Sequence, residues 1–268
     1  MPASVNAAGA DSTASKSIRS FRAELRGNFE VSPGYRLLEL RPEGSPPSPK
    51  PGQFYMVATG PMPEPLLKRP FCYFDSTGDG TISMLYKVQG KGTQLLSSMK
   101  EGVTLDVLGP LGNSYPMPPK GSSPIIVAGG IGIASVMPLI KKFGDKARVV
   151  FGARSREDMV MRKEVSGFLC ELHGCTDDGS VGLQGTVVDM LRELEPDESG
   201  VIYACGPKPM TRAVVEFASE RGLKGYASLE EHMACGIGAC MGCVVMTKKG
   251  YRRVCKEGPV FRLEDLVV

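Results

Sequence analysis

Four cysteines near the C-terminus constrain this sequence more than any other feature. Their spacing is C-x4-C-x2-C-x11-C, and the four are Cys235, Cys240, Cys243 and Cys255. This is the spacing of plant-type loops that bind a [2Fe-2S] cluster. Thiolates are the soft, anionic ligands that iron requires, and placing three of them so close together requires a chain that wraps around the cluster. The spacing therefore predicts a [2Fe-2S] cluster held by these four thiolates.

Glycines between the ligands support this prediction. Gly236, Gly238 and Gly242 permit positive φ angles and close approach, so that backbone N–H groups can point at the sulfur atoms. The alternative is a structural zinc site, whose usual signature is two C-x2-C pairs. Only Cys240 and Cys243 form such a pair, which favours iron over zinc.

Composition limits the class of protein. The chain has 268 residues, of which 42% are hydrophobic, and a formal charge of +3 spread along its length. This balance argues against a nucleic-acid surface or a polybasic membrane anchor and favours protein and small-molecule partners. No signal peptide is evident, so we expect a cytoplasmic protein with reduced cysteines. Cys170 and Cys175 have no ligand spacing and are expected to be buried.

Residues 20–119 have the pattern of a small antiparallel, six-stranded-type β-barrel. Short β-type runs are separated by Pro- and Gly-rich turns. The runs are YRLLEL (35–40), QFYMVAT (53–59), TISMLYKV (81–88) and VTLDVLG (103–109).

Residues 120–225 instead alternate between strand and helix patterns. The predicted strands are PIIVAGG (124–130), ARVVFGAR (147–154) and VIYACG (201–206), and the predicted helices cover 135–144, 156–168 and 208–222. This alternation predicts a Rossmann-like parallel α/β domain. Residues 226–268 then form a small [2Fe-2S] domain, and residues 1–19 a disordered tail. The apolar run 124–140 is too short and too interrupted by glycine to span a membrane.

Two predicted strands of the α/β domain end in motifs suited to a nucleotide. Gly129, Gly130 and Gly132 in VAGGIGIA follow a strand and precede a helix, where a pyrophosphate can approach backbone N–H groups. Cys205 ends the strand VIYACG, with Gly206 and Pro207 directly after it. The carboxyl ends of parallel strands are where such sheets bind ligands.

The barrel carries a third motif. Arg69, Pro70, Phe71 and Cys72 precede the strand TISMLYKV, and Gly90, Gly92 and Thr93 follow it. An arginine suits a diphosphate because it is permanently charged and can bind in a bidentate manner.

At these residues the sequence resembles the ferredoxin-NADP reductase superfamily, and more closely the electron-transfer subunits of dihydroorotate dehydrogenase B. The resemblance runs from about Phe21 to the end and is most distinctive in SLEEHMACGIGACMGCVV (228–245) and YRRVCKEGPVF (251–261). It implies that Arg69 binds the diphosphate of FAD, that Phe71 lies beside the flavin, and that Cys72 replaces a hydroxyl. A thiol is a weaker donor than a hydroxyl.

The same resemblance implies further site residues. Additional flavin contacts would come from Leu85, Tyr86, Lys87, Gly92 and Thr93. The nicotinamide nucleotide would be bound by Gly129, Gly130, Gly132, Gly206 and Pro207, with Cys205 as the catalytic thiol. The alternatives are a solvated Arg69, a core Tyr86 and an exposed edge charge at Lys87.

The implied function is electron transfer in pyrimidine biosynthesis. An FMN-containing catalytic subunit would oxidise dihydroorotate and pass electrons through [2Fe-2S] and FAD to NAD⁺, within a heterotetramer of two chains of each kind. We expect NAD(H), because 176–180 (TDDGS) would repel a 2′-phosphate near the ribose, although Arg154 and Arg156 keep NADP(H) open. His232, Met233 and Met241 are the expected docking face, and His173 has no assigned role.

Two other interpretations stay open. One is a related flavin and iron-sulfur reductase subunit of another complex, such as a sulfide dehydrogenase or an NAD(P)H-ferredoxin transhydrogenase. The other is a non-catalytic interaction module stabilised by zinc.

Overall fold

A curled antiparallel sheet forms the first part of the structure, a computed structural model that describes residues 18–60 and 65–267. Its strands are β1 (Arg19–Ser32), β2 (Tyr35–Pro42), β3 (Phe54–Val57), β4 (Arg69–Cys72), β5 (Asp75–Ser76), β6 (Ile82–Lys87) and β7 (Thr104–Leu111). Their order is β4-β3-β7-β1-β2-β6-β5, and the short helix α1 (Lys91–Ser97) connects β6 to β7. The predicted antiparallel barrel-type domain is confirmed, with seven strands.

Buried and exposed side chains alternate along these strands, and the buried ones form a core inside the curled sheet. Inward-facing side chains such as Leu25, Leu38 and Tyr55 are fully buried, as expected for strands with one apolar face. Register shifts in β1 bend the sheet, so that β4 comes into contact with β6. The two halves of the predicted flavin site therefore lie side by side.

A second sheet, parallel in its central part, follows. Its strands are β8 (Ser123–Gly129), β9 (Arg148–Ala153), β10 (Glu171–Thr176), β11 (Leu183–Gln184), β12 (Gly200–Cys205) and β13 (Lys224–Ser228). The helices are α2 (Ile133–Phe143), α3 (Arg162–Ser166), α4 (Val187–Leu194) and α5 (Lys208–Glu220). The strand order is β11-β10-β9-β8-β12-β13, with all of these pairs parallel, as predicted.

One predicted helix is wrong in extent. The segment 156–168 was expected to be a single helix, but it consists of one 3-10 turn (Arg156–Asp158) followed by the five-residue α3. Met161 has a φ of 61°, which stops a helix, and Met159 and Val160 are buried in the core. Packing of these two side chains therefore overrides the local helical pattern.

The C-terminal part is continuous with the parallel sheet. A loop that contains three of the predicted ligands leads to the hairpin of β14 (Val244–Thr247) and β15 (Gly250–Arg253). Strand β16 (Val260–Arg262) then returns to pair antiparallel with β13. The predicted boundary at 225 falls inside β13, whereas the boundary at 119 falls between β7 and β8.

Two further findings concern the ends and the helices. Most of the predicted disordered tail lies outside the described residues, but Arg19 already belongs to β1. No helix in the described part of the chain combines the length and apolarity needed to cross a membrane.

Candidate functional site

The glycine-rich turn and the Cys205 turn meet at one edge of the parallel sheet. Strands β8 and β12 are neighbours, and Cys205 pairs in register with Ala128. A Cβ atom at Gly132 would lie 2.2 Å from the carbonyl oxygen of Cys205. Only glycine therefore lets α2 begin so close to the end of β12.

The neighbouring glycines are equally constrained. A Cβ atom at Gly129 would lie 2.4 Å from Met210 Sδ and 2.9 Å from Pro207 Cδ, and one at Gly206 would lie 3.1 Å from Gly129 Cα. Gly130 has a φ of 51°, and the space above it is open within the described part of the chain. The predicted nucleotide residues thus surround a free position at the N-terminus of an eleven-residue helix, where an anion is stabilised.

In the barrel, Arg69 lies against the start of α1. A Cβ atom at Gly92 would lie 2.9 Å from Arg69 Nε and 3.1 Å from Thr59 Oγ1. Thr59 is fully buried, and its hydroxyl has no hydrogen-bond partner among the described residues. Thr93 caps α1 by accepting from the backbone N–H of Gly90 at 3.2 Å. An unpaired buried hydroxyl beside a guanidinium fits the diphosphate of FAD, which supplies acceptor oxygens.

The other predicted flavin residues have distinct places. The rings of Phe71 and Tyr86 contact each other edge to face, with their centroids 5.6 Å apart, and both belong to the barrel core. The Tyr86 hydroxyl donates to Asn28 Oδ1 at 2.9 Å. Pro70 pairs with Met56 in the neighbouring strand, and Leu85 is buried in the core shared with α2. The Lys87 ammonium forms an ion pair with Asp158 at 3.3 Å.

Two thiols lie close together where the barrel meets the parallel sheet. Cys72 ends β4 and Cys205 ends β12, and both thiols hydrogen-bond to the hydroxyl of Ser135 in α2. Burial, with a smaller effect from the carboxyl of Glu230, raises the pKa of the Cys72 thiol to about 12 and that of Cys205 well above its ordinary value. Both are therefore neutral thiols near pH 7. The residues predicted for the flavin and for the nicotinamide are thus brought together.

Glu230 is a candidate functional residue that the sequence analysis missed. It follows β13 and lies near both thiols. Although part of its side chain reaches solvent, protein surrounds its carboxyl group, so that burial raises the pKa of this carboxyl. The signal was the position of Glu230 after a strand next to β12, but β13 itself was not predicted. Ser135 and Thr59 were also missed, because their neighbours are distant in sequence.

The cluster loop places its four thiols in two pairs. Cys235 hydrogen-bonds to Cys240, and Cys243 to Cys255. Within residues 18–60 and 65–267, no three His, Cys, Asp or Glu side chains converge to bind one metal ion. Two thiol pairs fit a binuclear cluster, in which each iron takes two protein thiolates, better than a mononuclear zinc site.

Backbone N–H groups point at the sulfur atoms, as predicted from the glycines. Cys235 Sγ accepts from the N–H groups of Ala239 at 3.3 Å and Cys240 at 3.4 Å, and Cys243 Sγ accepts from that of Cys255 at 3.4 Å. Although burial opposes ionisation, such bonds lower the pKa of Cys235 to about 6. Burial and the adjacent Cys243 raise the pKa of Cys255 to about 12. A buried thiolate pair requires a cation, which iron supplies.

The loop also packs directly on the barrel. Gly236 has a φ of 71°, and a Cβ atom there would lie 2.6 Å from Met56 Cγ and 3.1 Å from Leu111 Cδ1. Asn113, just after β7, donates to the carbonyl of Val260 at 2.7 Å and accepts from its N–H at 2.9 Å. The cluster loop is therefore held against β3 and β7, next to the strand that carries Arg69 and Cys72.

On the outer side of the loop, apolar side chains are exposed. Met241 and Ile237 are 54% and 46% exposed, and His232 is exposed as well. Met233, which the sequence analysis included in the docking face, packs against the core instead.

Comparison with known proteins gives consistent matches. The family model for the iron-sulfur cluster binding domain of dihydroorotate dehydrogenase B matches residues 230–267, and that for the oxidoreductase NAD-binding domain matches residues 126–216. A dihydroorotate dehydrogenase B (NAD(+)) electron transfer subunit from Bacillus caldolyticus is 42% identical, covering 82% of this chain and 87% of the relative. The Clostridium acetobutylicum relative of the same name is 38% identical, covering 90% and 94%.

Among solved structures, a chain of an NADH-dependent reduced ferredoxin-NADP oxidoreductase, described for flavin-based electron bifurcation, superposes with a TM-score of 0.79. It is 29% identical, and the match covers 91% of this chain and 89% of that one.

Fold and site together define a flavin- and NAD-linked oxidoreductase of the ferredoxin reductase type that carries its own [2Fe-2S] domain. Within that class, the degree and extent of identity are decisive. The chain belongs to the family of dihydroorotate dehydrogenase B electron transfer subunits.

Proposed function

We propose that this chain passes electrons from the FMN of a dihydroorotate-oxidising subunit to NAD⁺. Oxidation of dihydroorotate releases two electrons and two protons, NAD⁺ takes up the equivalent of a hydride, and one proton is left in solution. An iron-sulfur cluster exchanges one electron at a time, a nicotinamide exchanges two as hydride, and bound FAD can do both. The name that the relatives carry, dihydroorotate dehydrogenase B electron transfer subunit, and the two matched domains support this function.

The observation that carries the proposal is the contact between its three sites. Cys72 and Cys205 share Ser135 where the barrel meets the parallel sheet, and Gly236 in the cluster loop packs on Met56, beside the strand of Arg69. Because Met56 lies on β3 and Cys72 on its paired strand β4, electrons would have a direct path through protein from the cluster loop to the two thiols.

Individual residues would have separate roles. Arg69 and Thr59 would bind the FAD diphosphate, and Gly129, Gly130 and Gly132 would admit the pyrophosphate of the nucleotide. Cys205 would position the nicotinamide against the flavin edge near Cys72. Glu230, whose carboxyl pKa is raised by burial, would exchange a proton beside the two thiols.

The remaining predicted flavin contacts follow the same division. Pro70 and Phe71 would support the flavin from β4, and Leu85, Tyr86, Gly92 and Thr93 from β6 and α1. Lys87 would act through its ion pair with Asp158. Gly206 and Pro207 would line the nucleotide site, and Cys235, Cys240, Cys243 and Cys255 would bind the cluster.

Reconstitution tests this function directly. The chain, loaded anaerobically with FAD and cluster, is combined with its FMN subunit, and NADH formation is followed after dihydroorotate is added. The Cys240→Ala variant should lose at least 95% of this transfer but keep NADH-dependent reduction of an artificial dye at the flavin. Continued transfer from dihydroorotate in that variant, or a chain that binds no FAD, would contradict the proposal.

The partner subunit would dock over the cluster, in a heterotetramer of two chains of each kind. Met241 is exposed at this face with a φ of 60°, and Leu169, on the α/β domain, is 82% exposed with a φ of 61°. Met241→Arg should weaken association with the FMN subunit at least tenfold, measured by calorimetry, whereas Leu169→Arg is the matched control. Equal effects of both substitutions would argue against this face.

A second function is favoured by the structural match to the ferredoxin-NADP oxidoreductase. In that case reduced ferredoxin, rather than an FMN subunit with dihydroorotate, would deliver electrons to the cluster. The same loaded chain distinguishes the two donors, because only one of them should reduce its flavin at a catalytic rate.

A further inference from the structure

The end of the nucleotide site away from Cys205 can be located from the strand order. The nicotinamide belongs near Cys205 at the end of β12, and the pyrophosphate near the glycine turn after β8. Strands β9 and β10 continue the sheet on the other side of β8, each about 4.8 Å from the last. The adenosine half of the nucleotide would therefore lie over the ends of β9 and β10.

Two arginines lie at this edge, and both are already engaged by the protein. Arg156 Nη2 donates to the carbonyl of Ser180 at 2.6 Å. Arg154 Nε donates to Asp158 Oδ2 at 3.0 Å, and its Nη2 lies 2.9 Å from the same oxygen. The backbone N–H of Asp178 donates to the Arg154 carbonyl at 3.2 Å, which joins the two loops.

Asp158 is fixed from the opposite side by the barrel. The Tyr35 hydroxyl donates to Asp158 Oδ1 at 2.5 Å, and Lys87 Nζ lies 3.3 Å from the same atom. The Asp158 side chain is only 14% exposed, whereas that of Arg154 is 75% exposed. Although partial burial opposes ionisation, hydrogen bonds from Tyr35, Arg154 and Lys87 lower the pKa of Asp158. The carboxylate is therefore a fixed anchor, and the exposed arginine is held by it.

The charges around this edge of the sheet also disfavour a 2′-phosphate. The segments that follow β9 and β10 carry four carboxylates and two arginines, and Lys87 of the barrel adds a third cation: Glu157, Asp158, Asp177 and Asp178 against Lys87, Arg154 and Arg156. A 2′-phosphate would bring further negative charge to an edge whose arginines are occupied. The 2′-hydroxyl of NAD brings none.

We propose that Asp158 is a specificity-determining residue, which excludes nucleotides with a 2′-phosphate by holding Arg154 away from the adenosine ribose. This inference rests on the proposed nucleotide site. It assigns the choice of NAD(H) to an ion pair anchored by the barrel rather than only to the aspartates after β10.

The test uses the full chain with FAD and cluster bound, and two redox-inactive probes. The dissociation constants of adenosine 2′,5′-bisphosphate and of 5′-AMP are measured by calorimetry, and their ratio is compared between variants. Asp158→Asn keeps an acceptor for Tyr35 but releases Arg154, so the ratio should shift about tenfold in favour of the bisphosphate. Adding Arg154→Ala to Asp158→Asn should abolish the gain.

Glu171→Gln is a matched control. It releases Arg148, which pairs with Glu171 at 3.2 Å at the opposite end of the same two strands, and should leave the ratio unchanged. A general disturbance of the fold would change both dissociation constants together and leave the ratio unaltered. An unchanged ratio in Asp158→Asn would overturn the proposal.

A second variant keeps Asp158 in place in case Asp158→Asn does not fold. Arg154→Ala alone should leave the affinity for the bisphosphate as weak as in the parent chain, because the arginine is withheld from it. A tenfold loss would show that Arg154 is already available to a 2′-phosphate and would contradict the inference. If neither probe nor NAD⁺ bound to the parent chain, the proposed nucleotide site itself would be refuted.

Discussion

At the scale of single residues, one of the two thiols between the barrel and the parallel sheet departs from the sequence pattern that the resemblance implies. The resemblance predicts a hydroxyl at the position of Cys72, whose raised pKa keeps it a neutral thiol. Because a thiol donates a weaker hydrogen bond than a hydroxyl, the flavin edge would receive less stabilisation when it gains charge.

Restoring the hydroxyl should therefore increase reactivity. Cys72→Ser should accelerate flavin reduction by NADH about three- to tenfold, which corresponds to one hydrogen bond of about 0.5–1.5 kcal/mol. Stopped-flow absorbance of the FAD-loaded chain measures this rate. Cys170→Ser serves as the control, because it alters a half-buried thiol just before β10, away from Cys72 and Cys205. An equal acceleration of flavin reduction in Cys170→Ser would refute the explanation.

The raised pKa of Glu230 leads to a prediction about how stability depends on pH. Its pKa is raised above 4.5 in the folded chain, so the folded state holds this proton to a higher pH than the unfolded state does. Stability is therefore lost as pH rises from about 4.5 through the folded pKa. Glu230→Gln should have little effect on the melting temperature at pH 4.5 and raise it at pH 8.

The neighbouring Glu231 supplies the control, because it forms an ion pair with Lys208 at 2.6 Å. Glu231→Gln should lower the melting temperature slightly at pH 8, which is the opposite sign. A melting temperature of Glu230→Gln that stays equal to the parent's across this pH range would contradict the assignment.

Local sequence could identify the four candidate ligands, because their spacing is itself the signal. It could not identify Thr59, Glu230 or Asp158 as candidate site residues. Each acquires its role from a partner that is distant in sequence, such as Arg69 for Thr59 and Tyr35 for Asp158. No period or motif records such proximity.

At the scale of elements, glycines decide how closely the pieces approach. Gly236 and Gly250 both have positive φ, 71° and 87°, but only Gly236 has neighbours in the way of a Cβ atom. Within the described chain, nothing lies within 4 Å of a Cβ atom at Gly250.

This difference separates strain from packing. Gly250→Ala should destabilise the chain by about 1 kcal/mol through its backbone conformation alone. Gly236→Ala adds an overlap with Met56 and should cost about 1–3 kcal/mol more, with loss of iron and of visible absorption on dilution. Similar iron retention in both variants would show that the loop is not held by this contact.

The strands were largely predictable from apolar runs, whereas the helix over 156–168 was not. Its sequence favours a helix, but burial of Met159 and Val160 and the left-handed Met161 break it. The break lets Asp158 reach Tyr35, so tertiary packing overrides local propensity at a residue with a proposed role.

At the scale of the whole molecule, a few polar links join the units. Lys141 in α2 pairs with Asp75 in the barrel at 2.6 Å, and Asn113 bonds both the N–H and the carbonyl of Val260. The division into units was visible from the change of pattern near residue 120. The polar links between the units could not be predicted from the sequence, because each joins residues far apart in sequence.

Breaking the Asn113 links should loosen the C-terminal unit selectively. Asn113→Ala should increase hydrogen exchange of the amides around the cluster loop and β16 about tenfold or more, while the centre of the barrel stays protected. Asn28→Ala is the control, because the bonds that Asn28 forms among the described residues lie inside the barrel, to Leu96, Tyr86 and Arg36. Equal deprotection of the cluster loop in both variants would argue against the role of Asn113.

The return of β16 to the side of β13 limits how this protein can be divided. A gene cut near residue 226, intended to free a simple flavin reductase from a ferredoxin-like module, would divide β13 and remove both the edge strand β16 and Glu230. The sheet would then end at a truncated strand beside β12, with an unpaired edge prone to aggregation. Replacing the metal centre here would therefore require rebuilding the adjacent nucleotide unit.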